Sequence, residues 1–366
     1  MTLIAGFFKD GCPILIGDIL LSNTDKSNKE LVFPSIGKIS NEHLSKGEYK
    51  PTSFCQKVNL LSPRLAIAWA GREYYAKSFM QEVISANLHN NPSQSSLGEI
   101  FDRIGKGKIS VIGLYRNEKE MRLFDFDAIS IDPPVPNFEW FKAKGSGYSL
   151  ISNIAQNLGN RVIFSGQPNK LHIGISVAAQ IIMGLLSQEI LTFLPLQNMF
   201  GAGYEILHPL GEGLAKFSGL TYLFWRAEEE KSGNWKIAYP FLVSNYSYYK
   251  DILVIRSVRM LYKTSNNCKI DSDEVHFVFP IYRPTREEEI IGCKPPSLNS
   301  EYMMNVFLCK DYNGTLGAFA HYGRYTGHVP PIIFTNEFKS NEGIKIDEQF
   351  VKSFIQRIAM YSKRDK

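Results

Sequence analysis

The chain has 366 residues, with 41 basic and 36 acidic side chains and a formal net charge of +5. Because this positive surplus is small and spread along the chain, it does not indicate a nucleic-acid-binding protein. The five cysteines are odd in number and include no CxxC pair, which argues against a disulfide framework and a four-cysteine zinc site.

The N-terminal segment predicts a β-hairpin followed by a long loop. Residues 2–8 are apolar on both faces, as in a strand buried inside a layered structure. A turn signal, Lys9-Asp10-Gly11, separates them from a second apolar segment at 13–21, so we expect the two strands to pair. Residues 23–51 are polar, and we expect a loop or insertion there. The start of the chain has no pattern of a secretory signal, so we expect a cytoplasmic location.

The middle of the chain predicts further strands and helices. Segments 57–61 and 64–69 indicate a strand pair, and Gly71 precedes a segment whose apolar residues recur at helical spacing. A helix is then predicted at 97–104, strands at 109–115, 121–126 and 138–143, and a helix from Gly147 to about residue 158. Residues 175–191 predict a long apolar helix. It contains Ser, Gln and Glu, which favours a buried helix over a membrane span.

The character of the chain changes at about residue 215. Strands are predicted at 220–225, 235–243, 252–262, 275–282 and 304–308, with an amphipathic helix at 347–361. Together the elements predict an α+β fold. We expect a four-layer αββα sandwich over residues 1–215, and a β-rich C-terminal extension over 216–366 that partly completes the sandwich and ends in the helix.

Thr2 is the first candidate for chemistry. It follows Met1, and its small side chain lets methionine aminopeptidase expose it. A free α-amine has a pKa of about 8 and can take the proton from its own hydroxyl, which makes an N-terminal Thr an activated nucleophile. Such a site also needs a cation that lowers the pKa of the amine, a carboxylate that holds the cation, and a donor for the oxyanion.

Three segments resemble the proteasome β-subunits and the related bacterial ATP-dependent protease, which are N-terminal nucleophile (Ntn) hydrolases. TLIAGFFKDGCPILIGDILLS, at 2–22, resembles the N-terminus of that family, and its Asp18 matches the family's Asp on the second strand. CQKVNLLSPRLAIAWAG, at 55–71, is similar to the segment that carries the catalytic Lys and the oxyanion-hole Gly, here Lys57 and Gly71. FKAKGSGYSLISNIAQNL, at 141–158, resembles the family's Gly-Ser-Gly start of a helix and supplies Ser146.

The resemblance implies a role for each residue. Thr2 Oγ attacks the substrate, and the Thr2 amine accepts and returns the proton. Lys57 supplies positive potential and is oriented by Asp18, the Gly71 N–H stabilises the oxyanion, and the Ser146 hydroxyl hydrogen-bonds the amine. Taken singly, Asp18 could equally form a structural salt bridge, Lys57 could be a solvated residue at a strand end, and Gly71 an ordinary turn.

One segment departs from the family pattern. The family's Asp-x-x-Ser-Gly-Gly matches NMFGAG at 198–203, so Asn198 replaces the Asp and Gly201 replaces the Ser. An Asn side chain accepts hydrogen bonds but carries no charge. Two functions therefore stay open: a threonine hydrolase, or an inactive scaffold or binding protein on the same fold.

The resemblance also implies partners. The substrate would be a peptide or protein cleaved through an acyl-enzyme on Thr2, and ring formation in the family implies a homo-oligomer. An ATPase partner is implied by analogy only. We expect no cofactor, metal ion, nucleic acid or membrane partner, and the sequence does not indicate the role of residues 216–366.

Overall fold

The structure is a computed structural model that describes residues 2–24, 31–39, 44, 49–118, 120–132, 138–158, 169–264, 267–284, 286–314, 316–324, 332–334 and 344–362. Met1, whose removal the sequence predicts, lies outside the described residues. The protein has an α+β fold in which strands predominate. It divides into two compact units, the first comprising Met1–Phe217, Tyr248–Leu253 and Phe277–Cys293 and the second Ser218–Ser247, Val254–His276 and Lys294–Lys366. The sequence predicted a boundary at residue 215.

The elements up to residue 217 are as follows. They are β1 (Leu3–Lys9), β2 (Cys12–Asp18), β3 (Leu20–Asn23), β4 (Val32–Phe33), β5 (Gly37–Lys38), β6 (Lys50–Phe54), β7 (Val58–Ser62), β8 (Leu65–Gly71), α1 (Glu73–Ser85), α2 (Gln94–Ile100), a π-helical turn (Phe101–Gly105), β9 (Ile109–Arg116), β10 (Met121–Phe126), β11 (Ile129–Ser130), β12 (Phe138–Gly145), α3 (Tyr148–Gln156), α4 (Lys170–Thr192), α5 (Leu194–Gln197), β13 (Tyr204–Leu210) and β14 (Gly213–Lys216).

The predicted hairpin of β1 and β2 is confirmed. The two strands pair antiparallel through a two-residue turn, in which Asp10 and Gly11 both have positive φ. This is the backbone conformation that favours Asp-Gly in tight hairpins. Both strands are central in a sheet of order β11-β12-β1-β2-β13-β14. The hairpin therefore brings the start of β1 and the end of β2 together in the interior.

A second sheet, of order β10-β9-β8-β7, packs against the first. Ile4 and Leu15 of the first sheet share an apolar cluster with Val58, Ala68 and Ile112 of the second sheet. Side chains of α1 and α2 share a separate cluster with other residues of β8. Helix α4 lies close to β2, since a Cβ built at its Gly174 would meet the Ile14 side chain at 3.3 Å.

Helix α4 is the one described helix long and apolar enough to cross a membrane by length and composition. However, 67% of its most apolar stretch of 18 residues is buried inside the protein. Such burial is what the core helix of a layered fold requires.

Several strands differ from the prediction. Strands β13 and β14 were not predicted, because Glu205, His208 and Pro209 interrupt the apolar pattern. Strands β4 and β5 lie within the loop predicted at 23–51, and β6 begins at its end. The strand predicted at 275–282 ends at Val278. The strand at Leu316–Arg324 was also missed.

The remaining elements are β15 (Leu220–Glu229), β16 (Trp235–Tyr249), β17 (Ile252–Thr264), β18 (Asn267–Val278), a 3₁₀ turn (Glu287–Ile290), β19 (Tyr302–Lys310), β20 (Leu316–Arg324), β21 (Ile332–Phe334), β22 (Ile344–Ile346) and α6 (Glu348–Ser362). The second unit is built on a sheet of order β18-β17-β16-β15-β19-β20. Helix α6, which confirms the predicted terminal helix, packs on this sheet through Phe354, whose ring lies 4.7 Å from that of Phe307.

Candidate active site

Thr2 and Asp18 are brought together by the hairpin. Antiparallel pairing places Ile4 opposite Gly17, so Thr2 and Asp18 lie side by side at the same end of the two strands. The Thr2 hydroxyl donates a hydrogen bond of 2.5 Å to Asp18 Oδ1. Both side chains are in the interior, with Thr2 1% and Asp18 0% exposed. A buried carboxylate is costly unless it is satisfied by donors or by an opposite charge.

The Asp18 carboxylate is satisfied mainly by backbone donors. Oδ1 accepts the N–H of Leu3 at 2.8 Å, and Oδ2 accepts those of Gly201 at 3.0 Å and Leu20 at 3.2 Å. Peptide nitrogens only donate, so this arrangement matches an ionised carboxylate. Burial raises the pKa of Asp18, whereas the positive charge of Lys57 and the hydrogen bonds from Leu3, Thr2 and Gly201 act to lower it.

Lys57 is the cation of the site and is 1% exposed. Its Nζ lies 4.1 Å from the centroid of the Trp69 ring, a cation–π distance. Burial raises the pKa of the neighbouring Cys55 thiol to about 12, while the charge and a hydrogen bond of Lys57 act in the opposite direction. The ammonium group is thus held by an aromatic face and a thiol, and it acts on Asp18 as a nearby positive charge.

Ser146 also lies at Thr2, but its partner is the carbonyl group. The Thr2 carbonyl oxygen accepts hydrogen bonds from the Ser146 hydroxyl and from the Gly147 N–H, each at 3.4 Å. The resemblance implied a contact with the Thr2 nitrogen instead. Gly145 has φ +107°, and a Cβ built there would lie 1.9 Å from the Thr2 oxygen. The turn at 145–147 therefore fixes the Thr2 backbone from one side.

We expect Gly145→Ala to lower the free energy of unfolding by about 3 kcal/mol. The new methyl group must displace the Thr2 carbonyl group, and alanine is strained at the positive φ of residue 145. Chemical denaturation of both variants and the wild-type protein measures this. Gly107→Ala is the matched control, since Gly107 also has positive φ but a Cβ there meets nothing within 4 Å. Equal losses in the two variants would show that the approach to Thr2 carries no cost.

Gly71 and Asn198 lie at the ends of elements that border the site. Gly71 ends β8, two residues after Trp69; its φ is +115°, and a Cβ there would lie 2.5 Å from the Lys108 carbonyl oxygen. Asn198 follows α5, and its backbone N–H donates to the Leu194 carbonyl at 3.0 Å. It begins the turn that carries Gly201 to Asp18. The structure therefore groups Thr2, Asp18, Lys57 and Ser146 and sets the other two predicted residues on neighbouring segments.

Glu189 is a buried residue of this region that the sequence analysis did not select. Its carboxyl group accepts the Ala202 N–H at 3.1 and 3.2 Å and is hydrogen-bonded to the Ser35 hydroxyl. A Cβ built at Gly201 would lie 2.3 Å from Glu189 Oε2. Glu189 thus fills the space that a Ser at position 201 would need. The signal in the sequence was a single Glu inside the long apolar helix.

Glu189 also predicts a pH dependence of stability. Burial raises its pKa to about 8, the hydrogen bonds from Ser35 and Ala202 oppose this, and the charge of Asp18 adds to it. Asp18 is the ionisable group whose charge acts on the Glu189 carboxyl. The Tyr204 hydroxyl lies in the same region, 3.4 Å from a Cβ built at Gly201. Because the folded state keeps a proton that the unfolded chain releases above a pKa of about 4.3, stability is lost as pH rises toward 8.

We therefore expect Glu189→Gln, which stays neutral, to gain stability relative to the wild-type protein between pH 5 and pH 8, by on the order of 3 kcal/mol. Urea unfolding at several pH values in this range measures the difference. Glu99→Gln, at an exposed position, is the control and should show no such trend. A constant difference between Glu189→Gln and wild type across the range would contradict the assignment.

Within the described residues, no group of three or more His, Cys, Asp or Glu side chains is arranged to hold a metal ion. No protein-family model matches the chain, and no curated protein matches it either.

Proposed function

We propose that this chain is an N-terminal threonine hydrolase, similar to proteasome β-subunits, that cleaves amide bonds of a peptide or protein through an acyl-enzyme on Thr2. Removal of Met1 is part of the proposal. The observation that carries it is the 2.5 Å hydrogen bond from the Thr2 hydroxyl to the buried Asp18, beside the buried charge of Lys57. Those three residue types at those three positions are what the resemblance required.

The packing of the first unit supports the fold that this function needs. An αββα sandwich has two face-to-face sheets with a helix layer on each outer side. Apolar side chains shared between the two sheets, between β8 and α1–α2, and between β2 and α4 agree with such layers. We propose this four-layer arrangement for the first unit.

The proposed mechanism uses the residues as follows. With Met1 gone, the neutral amine of Thr2 takes the hydroxyl proton as Oγ attacks the substrate carbonyl carbon. The Gly71 N–H stabilises the oxyanion, and the amine returns the proton to the leaving nitrogen. Water then hydrolyses the ester. Lys57 keeps the pKa of the amine low through its charge, and Asp18 holds Leu3 and the Thr2 hydroxyl in place.

A second candidate is an inactive scaffold or binding protein on the same fold. Thr2 is 1% exposed, so its hydroxyl is not open to a substrate in this structure. Asn198 and Gly201 in place of Asp and Ser favour the same alternative. A homo-oligomeric ring and an ATPase partner are proposals by analogy that apply to either candidate.

Mass spectrometry of the purified protein tests the two candidates. We expect an intact mass that lacks Met1 and, after treatment with a threonine-reactive β-lactone, the addition of a single acyl group. A protein that has lost Met1, is folded by circular dichroism and forms no adduct would favour the scaffold. Retention of Met1 in all molecules would contradict the enzyme outright, because the base would then be a peptide nitrogen.

A further inference from the structure

A second buried carboxylate contacts the backbone of Lys57. Glu205, on β13, is buried and accepts the backbone N–H of Lys57 at 2.9 Å and that of Val58 at 3.1 Å, both through Oε2. Residue 205 pairs with Gly17 on β2 of the first sheet, whereas Val58 starts β7 of the second sheet. The Glu205 side chain therefore bridges the two sheets at the residue that carries the candidate catalytic ammonium group.

The other oxygen of Glu205 is satisfied by two side chains. Lys216 Nζ forms an ion pair with Oε1 and also donates to the Val58 carbonyl. The Tyr248 hydroxyl donates to Oε1 at 2.8 Å. With two donors on each oxygen, the carboxylate is fully hydrogen-bonded. A buried ion pair is stable only when its remaining donors and acceptors are satisfied in this way.

The residue before Lys57 is held from the later part of the chain. Gln56 Nε2 donates to the carbonyl groups of Asp251 at 2.6 Å and Val278 at 2.9 Å. The Gln56 backbone N–H donates to the Phe279 carbonyl at 3.0 Å. All of these partners belong to the first unit. Tyr248 and Asp251 lie in the segment 248–253, and Val278 and Phe279 lie in the segment 277–293. The backbone on both sides of Lys57 is thus fixed by buried hydrogen bonds.

We infer that Glu205, with Lys216 and Tyr248, is a positioning residue that fixes Lys57 beside Asp18, and that segments 248–253 and 277–293 complete this support. The inference depends on the proposed function. A Cβ built at Gly17 would meet Lys57 Cβ at 3.0 Å, so the residue before Asp18 on β2 and the Lys57 backbone are in close approach. A displacement of residues 57 and 58 therefore changes the distance from the ammonium group to Thr2 and Asp18.

A purely structural role for Glu205 makes a different prediction from a positioning role. If the network only stabilises the fold, its loss lowers the free energy of unfolding but leaves the chemistry of the folded protein unchanged. If it positions Lys57, its loss also weakens the effect of the ammonium charge on the Thr2 amine. The pKa of the amine then rises, and the pH at which Thr2 becomes reactive rises with it.

The test is the rate of Thr2 acylation by a β-lactone as a function of pH, in folded wild-type, Glu205→Gln and Tyr248→Phe proteins. Tyr248→Phe removes one hydrogen bond and no charge, so it tests the same role if the Glu205→Gln protein does not fold. Tyr249→Phe, the same change at the exposed neighbouring tyrosine, is the matched control. We expect Glu205→Gln to lower the maximal rate about 10- to 100-fold and to raise the pH midpoint. Tyr248→Phe should shift the midpoint in the same direction by less, and Tyr249→Phe should match wild type.

The outcomes separate this inference from the proposed function. If wild-type protein reacts and the folded Glu205 and Tyr248 variants keep its midpoint and maximal rate, the positioning role is overturned while the threonine hydrolase stands. If wild-type protein without Met1 forms no adduct at any pH, the proposed function fails and the positioning role with it. A raised midpoint in both variants, absent from Tyr249→Phe, supports the positioning role.

Discussion

Thr2→Ala is expected to abolish acylation while the protein remains folded. The change removes Oγ, the only atom that forms the ester in the proposed mechanism, and loss of a nucleophile costs at least about 10⁴-fold in rate. It also removes one of four hydrogen bonds to Asp18, whereas those from Leu3, Leu20 and Gly201 remain. We expect the stability loss to stay at about 1–2 kcal/mol.

The measurement is adduct formation by intact mass, with folding checked by circular dichroism. Thr2→Ser is the matched control, because it keeps a hydroxyl and a side chain small enough for Met1 removal. It should still be acylated. An adduct of undiminished yield on Thr2→Ala would mean that the electrophile reacts elsewhere, and the nucleophile would have to be assigned again.

Lys57→Met is expected to have the second largest effect, a loss of about 10³-fold or more in the rate of Thr2 acylation at neutral pH. The methionine side chain keeps most of the apolar stem against Trp69 but removes the charge that acts on Asp18 and on the amine. Removing a fixed charge from a buried site where charge develops typically costs about 10²–10³-fold, and a raised pKa of the amine base adds to that loss.

The same β-lactone assay measures the loss, and raising the pH should restore part of it if the amine pKa has risen. Lys250→Met is the control, since Lys250 Nζ also lies over an aromatic ring, 5.5 Å from the centroid of Tyr249, but at the surface. Wild-type reactivity in a folded Lys57→Met protein would contradict the role of Lys57.

Three buried carboxyl groups of the first unit are stabilised in three different ways. Asp18 accepts peptide N–H groups near the charge of Lys57, and Glu205 forms an ion pair with Lys216. No cation lowers the pKa of Glu189, and burial raises it to about 8. The Glu189 carboxyl group therefore stays largely protonated at neutral pH. Asp18 and Glu205, the two with a cation nearby, are also the two that contact the backbone or side chain of the candidate catalytic residues.

The sequence predicted the parts of the site that depend on local pattern. The hairpin and its Asp-Gly turn follow from alternation and turn chemistry, and pairing in that hairpin is sufficient to bring Thr2 to Asp18. The sequence left Lys57 open between a catalytic cation and a solvated residue at a strand end, and the structure buries it.

The supporting residues could not be predicted because they depend on contacts between distant segments. Glu205 lies 148 positions from Lys57, and Glu189 lies 154 positions from Ser35. The polar residues at 205–209 are typical of a loop. A buried strand is possible there because Lys216 forms an ion pair with Glu205, and the sequence does not reveal that pair. The partner of Ser146 differed from the expectation for a similar reason, since it depends on how closely Gly145 approaches Thr2.

Peptide mapping of β-lactone-treated protein identifies the residue that carries the acyl group. We expect the N-terminal peptide to begin at Thr2, to carry the acyl group on its side-chain oxygen and to lose it in hydroxylamine. An N-terminal peptide that begins at Met1, or one that begins at Thr2 and stays unmodified under conditions in which the protein is folded, would contradict the proposed function.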